Sequence, residues 1–165
     1  MLWLVGLMGS GKSTIGPLAA DLLGVAFVDT DALVETRTGQ SISELFEAGE
    51  QSFRDVEAAV IEDVSAGPAA VVATGGGAVL REANQQHMRA SGVVVWLRAT
   101  AETLAARVGQ ADGRPLLAGA PAERLATLVD QRRADYAAAA DVVIDTDGRG
   151  VEEVLEEVVA AWPAS

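Results

Sequence analysis

An eight-residue motif near the amino terminus constrains this chain more than any other feature. Residues 6–13 read Gly-Leu-Met-Gly-Ser-Gly-Lys-Ser and match G-x-x-x-x-G-K-[ST] at every fixed position. The apolar run Leu2–Val5 before the motif predicts a buried strand, and the apolar residues after it have helical spacing. This order favours a P-loop, in which backbone N–H groups and the amino terminus of a helix surround a phosphate.

The residue types inside the motif fit a nucleotide that carries a magnesium ion. Lys12 is the only lysine of the chain, and its compact charge suits the β- and γ-phosphates. Ser13 offers a hydroxyl to Mg²⁺. The residues that we expect to bind the nucleotide here are Gly9, Ser10, Gly11, Lys12, Ser13 and Thr14.

Composition narrows the class of protein. With 165 residues, of which 50% are hydrophobic, the chain is long enough for a single domain over residues 1–165. Its net charge of −12 argues against a nucleic-acid partner. It has no cysteine for a disulfide or a thiolate metal site, and no apolar run approaches membrane-spanning length. We therefore expect a cytoplasmic protein without a membrane or nucleic-acid partner. We also expect a monomer, although composition does not determine the oligomeric state.

Five short apolar runs alternate with helical segments along the chain. The predicted strands are 2–5, 25–28, 69–74, 93–97 and 142–144. Strands that alternate with helices form parallel sheets, and nearly continuous apolar runs indicate burial on both faces of the sheet. The sequence therefore predicts an α/β fold with a five-stranded parallel sheet and helices on both of its faces.

Two aspartates follow the second predicted strand. A magnesium–nucleotide site needs a carboxylate near the P-loop serine, so we assign Asp29 to the metal together with Ser13. Asp31 has two interpretations. It either belongs to a substrate site or caps a helix that begins at Ala32.

An arginine and a glutamate lie three residues apart on a predicted helix over residues 50–64. Arg54 and Glu57 can pair on one side of this helix. Taken alone, such a pair is most often a solvated surface contact of little energetic value.

Two glycine-rich segments lie farther along the chain. Gly75, Gly76 and Gly77 follow the third strand, at the edge where open α/β sheets bind ligands, although a flexible turn has the same composition. Residues 109–121 have glycines around Arg114 and predict a mobile lid with a positive tip, or else an ordinary long loop.

The order and spacing of these motifs resemble those of the shikimate kinase family over nearly the whole chain. Besides the nucleotide loop, the matching stretches are 28–31 (Val-Asp-Thr-Asp), 53–57 (Phe-Arg-Asp-Val-Glu), 74–77 (Thr-Gly-Gly-Gly), 114–117 (Arg-Pro-Leu-Leu) and the R-x-x-x-Y from Arg132 to Tyr136. The proline that the family usually has two positions before this tyrosine is absent, and Arg133 is a second candidate for the arginine.

The resemblance implies a nucleoside-monophosphate-kinase-like fold with strand order 2-3-1-4-5 and a lid over residues 109–121. It implies ATP-dependent phosphorylation of the 3-hydroxyl of shikimate, with one Mg²⁺ bound together with ATP. The implied substrate segment covers residues 31–62.

The resemblance also assigns roles to individual residues. The implied substrate-binding residues are Asp31, Arg54, Glu57, Gly75, Gly76, Gly77 and Arg132. Arg54 and Arg132 would hold the carboxylate of shikimate by charge-assisted hydrogen bonds, with Glu57 orienting Arg54. Asp31 would orient the reacting hydroxyl. Arg107 and Arg149 would lie near the adenine, and Arg114 would approach the transferring phosphate, so Lys12, Asp31 and Arg114 form the implied catalytic set.

Other enzymes that use the same loop remain as alternatives. A gluconate kinase is disfavoured by the combination of D-x-D with F-R-x-x-E, and a nucleotide kinase would need a pocket for a second base. A nucleotide switch of the GTPase kind reads guanine with N-K-x-D, which a chain whose only lysine is Lys12 cannot contain.

Overall fold

A five-stranded parallel sheet forms the centre of the computed structural model, which describes residues 1–109 and 121–162. The strands are β1 (Leu2–Val5), β2 (Ala26–Asp29), β3 (Ala70–Ala73), β4 (Val93–Arg98) and β5 (Val142–Asp145). Their spatial order is β2-β3-β1-β4-β5, and every neighbouring pair is parallel. The predicted fold class and strand order are confirmed.

Helices follow each strand, as the alternating pattern predicts. They are α1 (Lys12–Leu23), α2 (Thr30–Thr38), α3 (Ile42–Ala48), α4 (Glu50–Ser65), α5 (Glu82–Ser91), α6 (Ala101–Val108), α7 (Pro121–Ala139) and α8 (Val151–Ala160), with a short 3₁₀ turn at Ala78–Leu80.

Both faces of the sheet are covered, because alternate residues of β1 enter two separate cores. Trp3 and Val5 belong to a cluster with side chains from α4, α5, α6 and α7. Leu2 and Leu4 belong to a second cluster with side chains from α1 and α8. All four β1 side chains are fully buried, which explains why this strand is a continuous apolar run.

Helices α2, α3 and α4 build a third, smaller core. It contains Val34, Leu45, Phe53 and Val60 and includes no residue of the sheet. These helices span almost the same residues as the predicted substrate segment, 31–62. Their own core gives them a fixed shape beside the carboxyl ends of β2 and β3.

The start of α2 differs from the prediction. The helix begins at Thr30, not at Ala32, and its cap is Asp29. The backbone of Asp29 is extended, and its Oδ1 accepts hydrogen bonds from the N–H groups of Asp31 at 2.9 Å and Ala32 at 3.3 Å. The interpretation of Asp31 as a cap is therefore wrong, because Asp29 satisfies the free N–H groups of the first turn.

Candidate active site

The P-loop joins β1 to α1 and relies on glycine at its bends. Gly9 and Gly11 have positive φ angles of 79° and 103°, a region that side chains disfavour. Lys12 folds back across the loop, where its Nζ donates to the carbonyl of Gly6 at 2.6 Å and to that of Leu7 at 3.0 Å.

A cavity of about 470 Å³ opens above this loop. All the predicted nucleotide-binding residues within the described ranges line it: Gly9, Ser10, Gly11, Lys12, Ser13, Thr14, Arg107 and Arg149. The amino terminus of α1 faces the cavity and can attract a phosphate.

Two arginines form the far wall of the nucleotide cavity. Arg107 donates to the carbonyl of Gly9 at 3.3 Å, to Thr146 Oγ1 at 2.9 Å and to the Thr146 carbonyl at 2.7 Å. It therefore ties the P-loop to the turn after β5. Arg149 lies in that turn and pairs with Glu157 at 2.6 Å.

Asp31 lies against the glycine triplet with one oxygen unpaired. A Cβ on Gly75 would lie 2.6 Å from Asp31 Oδ1 and 2.8 Å from Glu57 Oε1. Both oxygens are buried and accept no hydrogen bond from the described part of the chain. Burial, with the nearby Asp29 and Glu57 carboxylates, raises the pKa of Asp31 to about 6, and the Lys12 charge opposes this.

Arg54 and Glu57 form a buried ion pair, so their interpretation as a solvated surface contact is wrong. Arg54 Nη1 lies 2.8 Å from Glu57 Oε2, and the two side chains are 9% and 0% exposed. The guanidinium also lies 5.1 Å from the centre of the Phe53 ring and 5.5 Å from that of Phe46. Burial raises the pKa of Glu57, whereas Arg54 opposes this shift.

The three glycines of the triplet are needed because they lack side chains, and not because their backbone angles are unusual. None of its three residues has a positive φ. A Cβ on Gly77 would lie only 2.5 Å from Arg54 Cζ. Glycine therefore allows the Arg54 guanidinium and the two carboxylates to approach the backbone directly.

Arg132 and not Arg133 lies next to this triplet. Arg132 Nη1 donates to the carbonyl of Gly76 at 3.1 Å. Arg133 is exposed, and its nearest acidic partner, Asp130, is 3.9 Å away. The sequence left open whether Arg132 or Arg133 belongs to the site. In the fold, Arg132 lies beside the predicted substrate residues.

Two polar contacts of the triplet escaped the sequence analysis. The fully buried Thr30 accepts a hydrogen bond at its Oγ1 from Gly75 N at 3.2 Å. Tyr136 Oη donates to the Gly76 carbonyl at 2.5 Å. The only sequence signals were the position of Thr30 between two aspartates and that of Tyr136 four residues after Arg132.

Ser13 lines the nucleotide cavity, whereas Asp29 does not, and the two residues predicted to bind Mg²⁺ fit an ion that is held mainly by phosphates and water. Ser13 is exposed in the cavity wall, and the helix cap uses only Oδ1 of Asp29, which leaves Oδ2 for a water or an ion. Within residues 1–109 and 121–162, no group of three or more His, Cys, Asp or Glu residues could hold a metal. Mg²⁺ usually retains several waters and takes only one or two carboxylates.

Arg114 and most of the predicted lid, residues 110–120, lie outside the described residues. In the part of the chain that is described, no helix is long and apolar enough to cross a membrane.

A comparison with protein families identifies the family of this chain. The model of the shikimate kinase family matches residues 8–163. The chain belongs to the shikimate kinase family. Shikimate kinases are ATP-using kinases that phosphorylate a hydroxyl of shikimate in the aromatic amino-acid pathway.

Individual shikimate kinases are similar over nearly the whole chain. The shikimate kinase of Symbiobacterium thermophilum is 49% identical over 160 residues, which cover 94% of this chain and 92% of that relative. The one from Gloeobacter violaceus is 51% identical and covers 89% of this chain and 84% of its own.

Solved structures agree with the family assignment. The shikimate kinase of Acinetobacter baumannii, solved in complex with shikimate, has a TM-score of 0.90 at 34% identity and covers 96% of this chain and 89% of its own. A gluconokinase from Sinorhizobium meliloti has a TM-score of 0.64 at 20% identity, covering 97% of this chain and 89% of its own. At that identity the gluconokinase shows only that the fold is shared.

Proposed function

We propose that this chain transfers the γ-phosphoryl group of ATP to the 3-hydroxyl of shikimate and releases ADP and shikimate 3-phosphate. The observation that carries the proposal is a shared wall between the two sites. A Cβ on Gly76 would lie 3.7 Å from the Gly6 carbonyl and 3.8 Å from Leu7 Cα in the P-loop. A small acceptor held at the glycine triplet would therefore lie beside the end of the phosphate chain.

Arg54 and Arg132 are the groups that bind the carboxylate of shikimate. Both guanidinium groups lie against the triplet, at Gly77 and Gly76. Arg54 is buried and held by Glu57, so little side-chain entropy remains to be lost when a ligand binds. Charge-assisted hydrogen bonds from two arginines favour a small carboxylate over an uncharged sugar.

Asp31 orients the acceptor hydroxyl. Its unpaired Oδ1 is a buried acceptor at the triplet, and a substrate hydroxyl would satisfy it. Above its pKa of about 6 Asp31 is ionised and can accept the hydroxyl proton. In a loose phosphoryl-transfer transition state this proton leaves late, so orientation is the larger contribution.

The nucleotide occupies the cavity above the P-loop, with Lys12 on the β- and γ-phosphates and Arg107 and Arg149 near the base. Ser13, and Asp29 through water, would hold Mg²⁺, which neutralises phosphate charge. Residues 31–62 form the substrate segment. A lid over 109–121 that carries Arg114, a monomeric state and a cytoplasmic location remain predictions.

Steady-state assays of ADP release test this function. Wild-type protein with MgATP is assayed against shikimate, gluconate and nucleoside monophosphates. We expect turnover with shikimate and only background hydrolysis with the others. Faster turnover of gluconate or of a nucleoside monophosphate would replace the proposal with that acceptor.

A further inference from the structure

The carbonyl oxygen of Gly76 receives two hydrogen bonds from a single helix. Tyr136 Oη donates to it at 2.5 Å and Arg132 Nη1 at 3.1 Å. The two side chains are four residues apart on α7 and therefore project from the same side of that helix. A carbonyl oxygen has two lone pairs, so α7 occupies both acceptor positions of this one.

Tyr136 is itself held firmly. Its side chain is almost completely buried, and its ring stacks on Trp96 with centroids 5.3 Å apart and planes inclined by 16°. Burial also raises the pKa of Tyr136 above its ordinary value, so the phenol keeps its proton and remains a donor. The hydroxyl therefore offers one hydrogen bond from a fixed position.

Gly76 has no side chain whose packing could fix the orientation of its peptide group. Glycine has more backbone freedom than any other residue. The neighbouring Gly75 N–H is bonded to Thr30 Oγ1 at 3.2 Å, and Gly77 packs against the Arg54 guanidinium. The bond from Tyr136 fixes the carbonyl between these two anchored neighbours.

We propose that Tyr136 is a positioning residue for the acceptor substrate. Its hydroxyl fixes the Gly76 carbonyl, and this carbonyl orients the Arg132 guanidinium toward the substrate carboxylate. The proposal rests on the proposed function, in which Arg132 binds that carboxylate. The Arg132 guanidinium donates to Gly76 through Nη1 and also interacts directly with the Tyr136 hydroxyl, and its other N–H groups would bind the ligand. Without the phenol hydroxyl, the peptide and the guanidinium both gain freedom that the ligand must then remove.

The Tyr136→Phe variant tests this role, because it keeps the stacked ring and removes only the hydroxyl. We expect the KM and the dissociation constant for shikimate to rise about five- to tenfold, the effect of one lost hydrogen bond. The kcat and the KM for ATP should stay within about twofold of wild type, as for loss of ground-state binding.

Ser91→Ala is the matched control for a purely structural effect. Ser91 Oγ accepts a hydrogen bond from the buried Trp3 Nε1 at 3.0 Å. Ser91 lies just before the amino-terminal end of β4, whereas the P-loop follows the carboxyl end of β1. This control should lower the melting temperature and leave the KM for shikimate unchanged. If Tyr136→Phe behaves in the same way, Tyr136 only stabilises the fold and the proposal is overturned.

A double-mutant cycle with Arg132→Ala tests the route of the effect. Because Tyr136 acts through Arg132, adding Tyr136→Phe to Arg132→Ala should not change the dissociation constant for shikimate further. Additive losses would overturn the proposal. Failure of the proposed function is a separate result, since it would appear as wild-type protein that does not phosphorylate shikimate.

Discussion

At the scale of single residues, Asp31 is the group whose environment is most unusual. It is not the cap of α2, so capping does not explain its unpaired, buried Oδ1. Asp31→Asn keeps the shape and removes both the charge and the ability to take a proton. We expect normal ATP binding and a kcat reduced by about a hundredfold or more. Wild-type turnover of this variant would exclude Asp31 from the chemistry.

The same substitution has a stability signature that depends on pH. The pKa of Asp31 is raised to about 6 in the folded state by burial and by Asp29, Glu57 and Glu35, against Lys12. The folded protein thus binds a proton more tightly than the unfolded one, and this stabilisation is lost as pH rises through 6. A rise in this pKa from about 4 to about 6 corresponds to about 3 kcal/mol. Asp31→Asn should therefore melt about 6–12 °C above wild type at pH 8, and by less at pH 4. An equal difference at both pH values would contradict the assigned pKa.

Arg132 and Arg133 provide a pair in which only one side chain touches the site. Arg132 bonds to Gly76, whereas Arg133 is exposed. Arg132→Ala should weaken shikimate binding by about 2–5 kcal/mol if the carboxylate contact is desolvated, with little effect on ATP. Arg133→Ala should behave like wild type in the same titrations. The reverse outcome would shift the assigned arginine by one position.

Arg54 is less suitable for such a test. Replacing it by alanine would leave the fully buried Glu57 without its partner, at a cost of about 3–5 kcal/mol in folding free energy. The sequence alone could not show this, because an i, i+3 pair has the same pattern on a surface as in a core. The burial comes from Phe46 and Phe53, whose rings cover the guanidinium.

At the scale of elements, the sequence predicted the five strands and their alternation with helices, but not the start of α2 or the 3₁₀ turn at Ala78–Leu80. Apolar runs and helical spacing locate elements well, since burial on the two faces of the sheet enforces them. The start of α2 depended on which of two cap-forming residues, Asp29 or Asp31, bonds the free N–H groups. The turn from β2 into α2 decides between them, and this turn is a property of the folded chain.

Asp29 has two roles that two variants separate. Asp29→Asn retains a cap of similar strength and removes the charge, so it should raise the Mg²⁺ concentration for half-maximal activity while the melting temperature stays near that of wild type. Asp29→Ala removes the cap as well and should lose about 1 kcal/mol of stability in addition. Overlapping Mg²⁺ titrations for Asp29→Asn and wild type would show that another group holds the metal.

At the scale of the whole molecule, the site is a local exception to a strongly acidic chain. The net charge is −12, yet four cations from different parts of the chain lie near the edge of the sheet where we propose that the two anionic substrates bind. They are Lys12, Arg54, Arg107 and Arg132. The sequence indicated which motifs belong to the site. Which side chains touch each other, such as Tyr136 and Gly76, depended on how the helices lie on the sheet and could not be predicted.

The amine content of the whole chain gives a direct test of the nucleotide site. Because Lys12 is the only lysine, an acylating reagent can modify only two amines, Lys12 Nζ and the terminal amine of Met1. Burial lowers the pKa of the Met1 amine, which bonds to the Ser91 carbonyl at 3.0 Å, at the other end of β1 from the P-loop. MgATP should protect Lys12 and not Met1, as mass spectrometry of the two sites would measure.

Activity should be lost in proportion to acylation of Lys12, because the neutral amide cannot balance the charge that develops on the phosphates. Lys12→Ala should accordingly lose about a hundredfold or more in kcat while keeping the wild-type fold. Met1 acylation in that variant then shows whether the reagent alone disturbs folding. Protein that is fully acylated at Lys12 and still phosphorylates shikimate at the wild-type rate would remove Lys12 from the catalytic set.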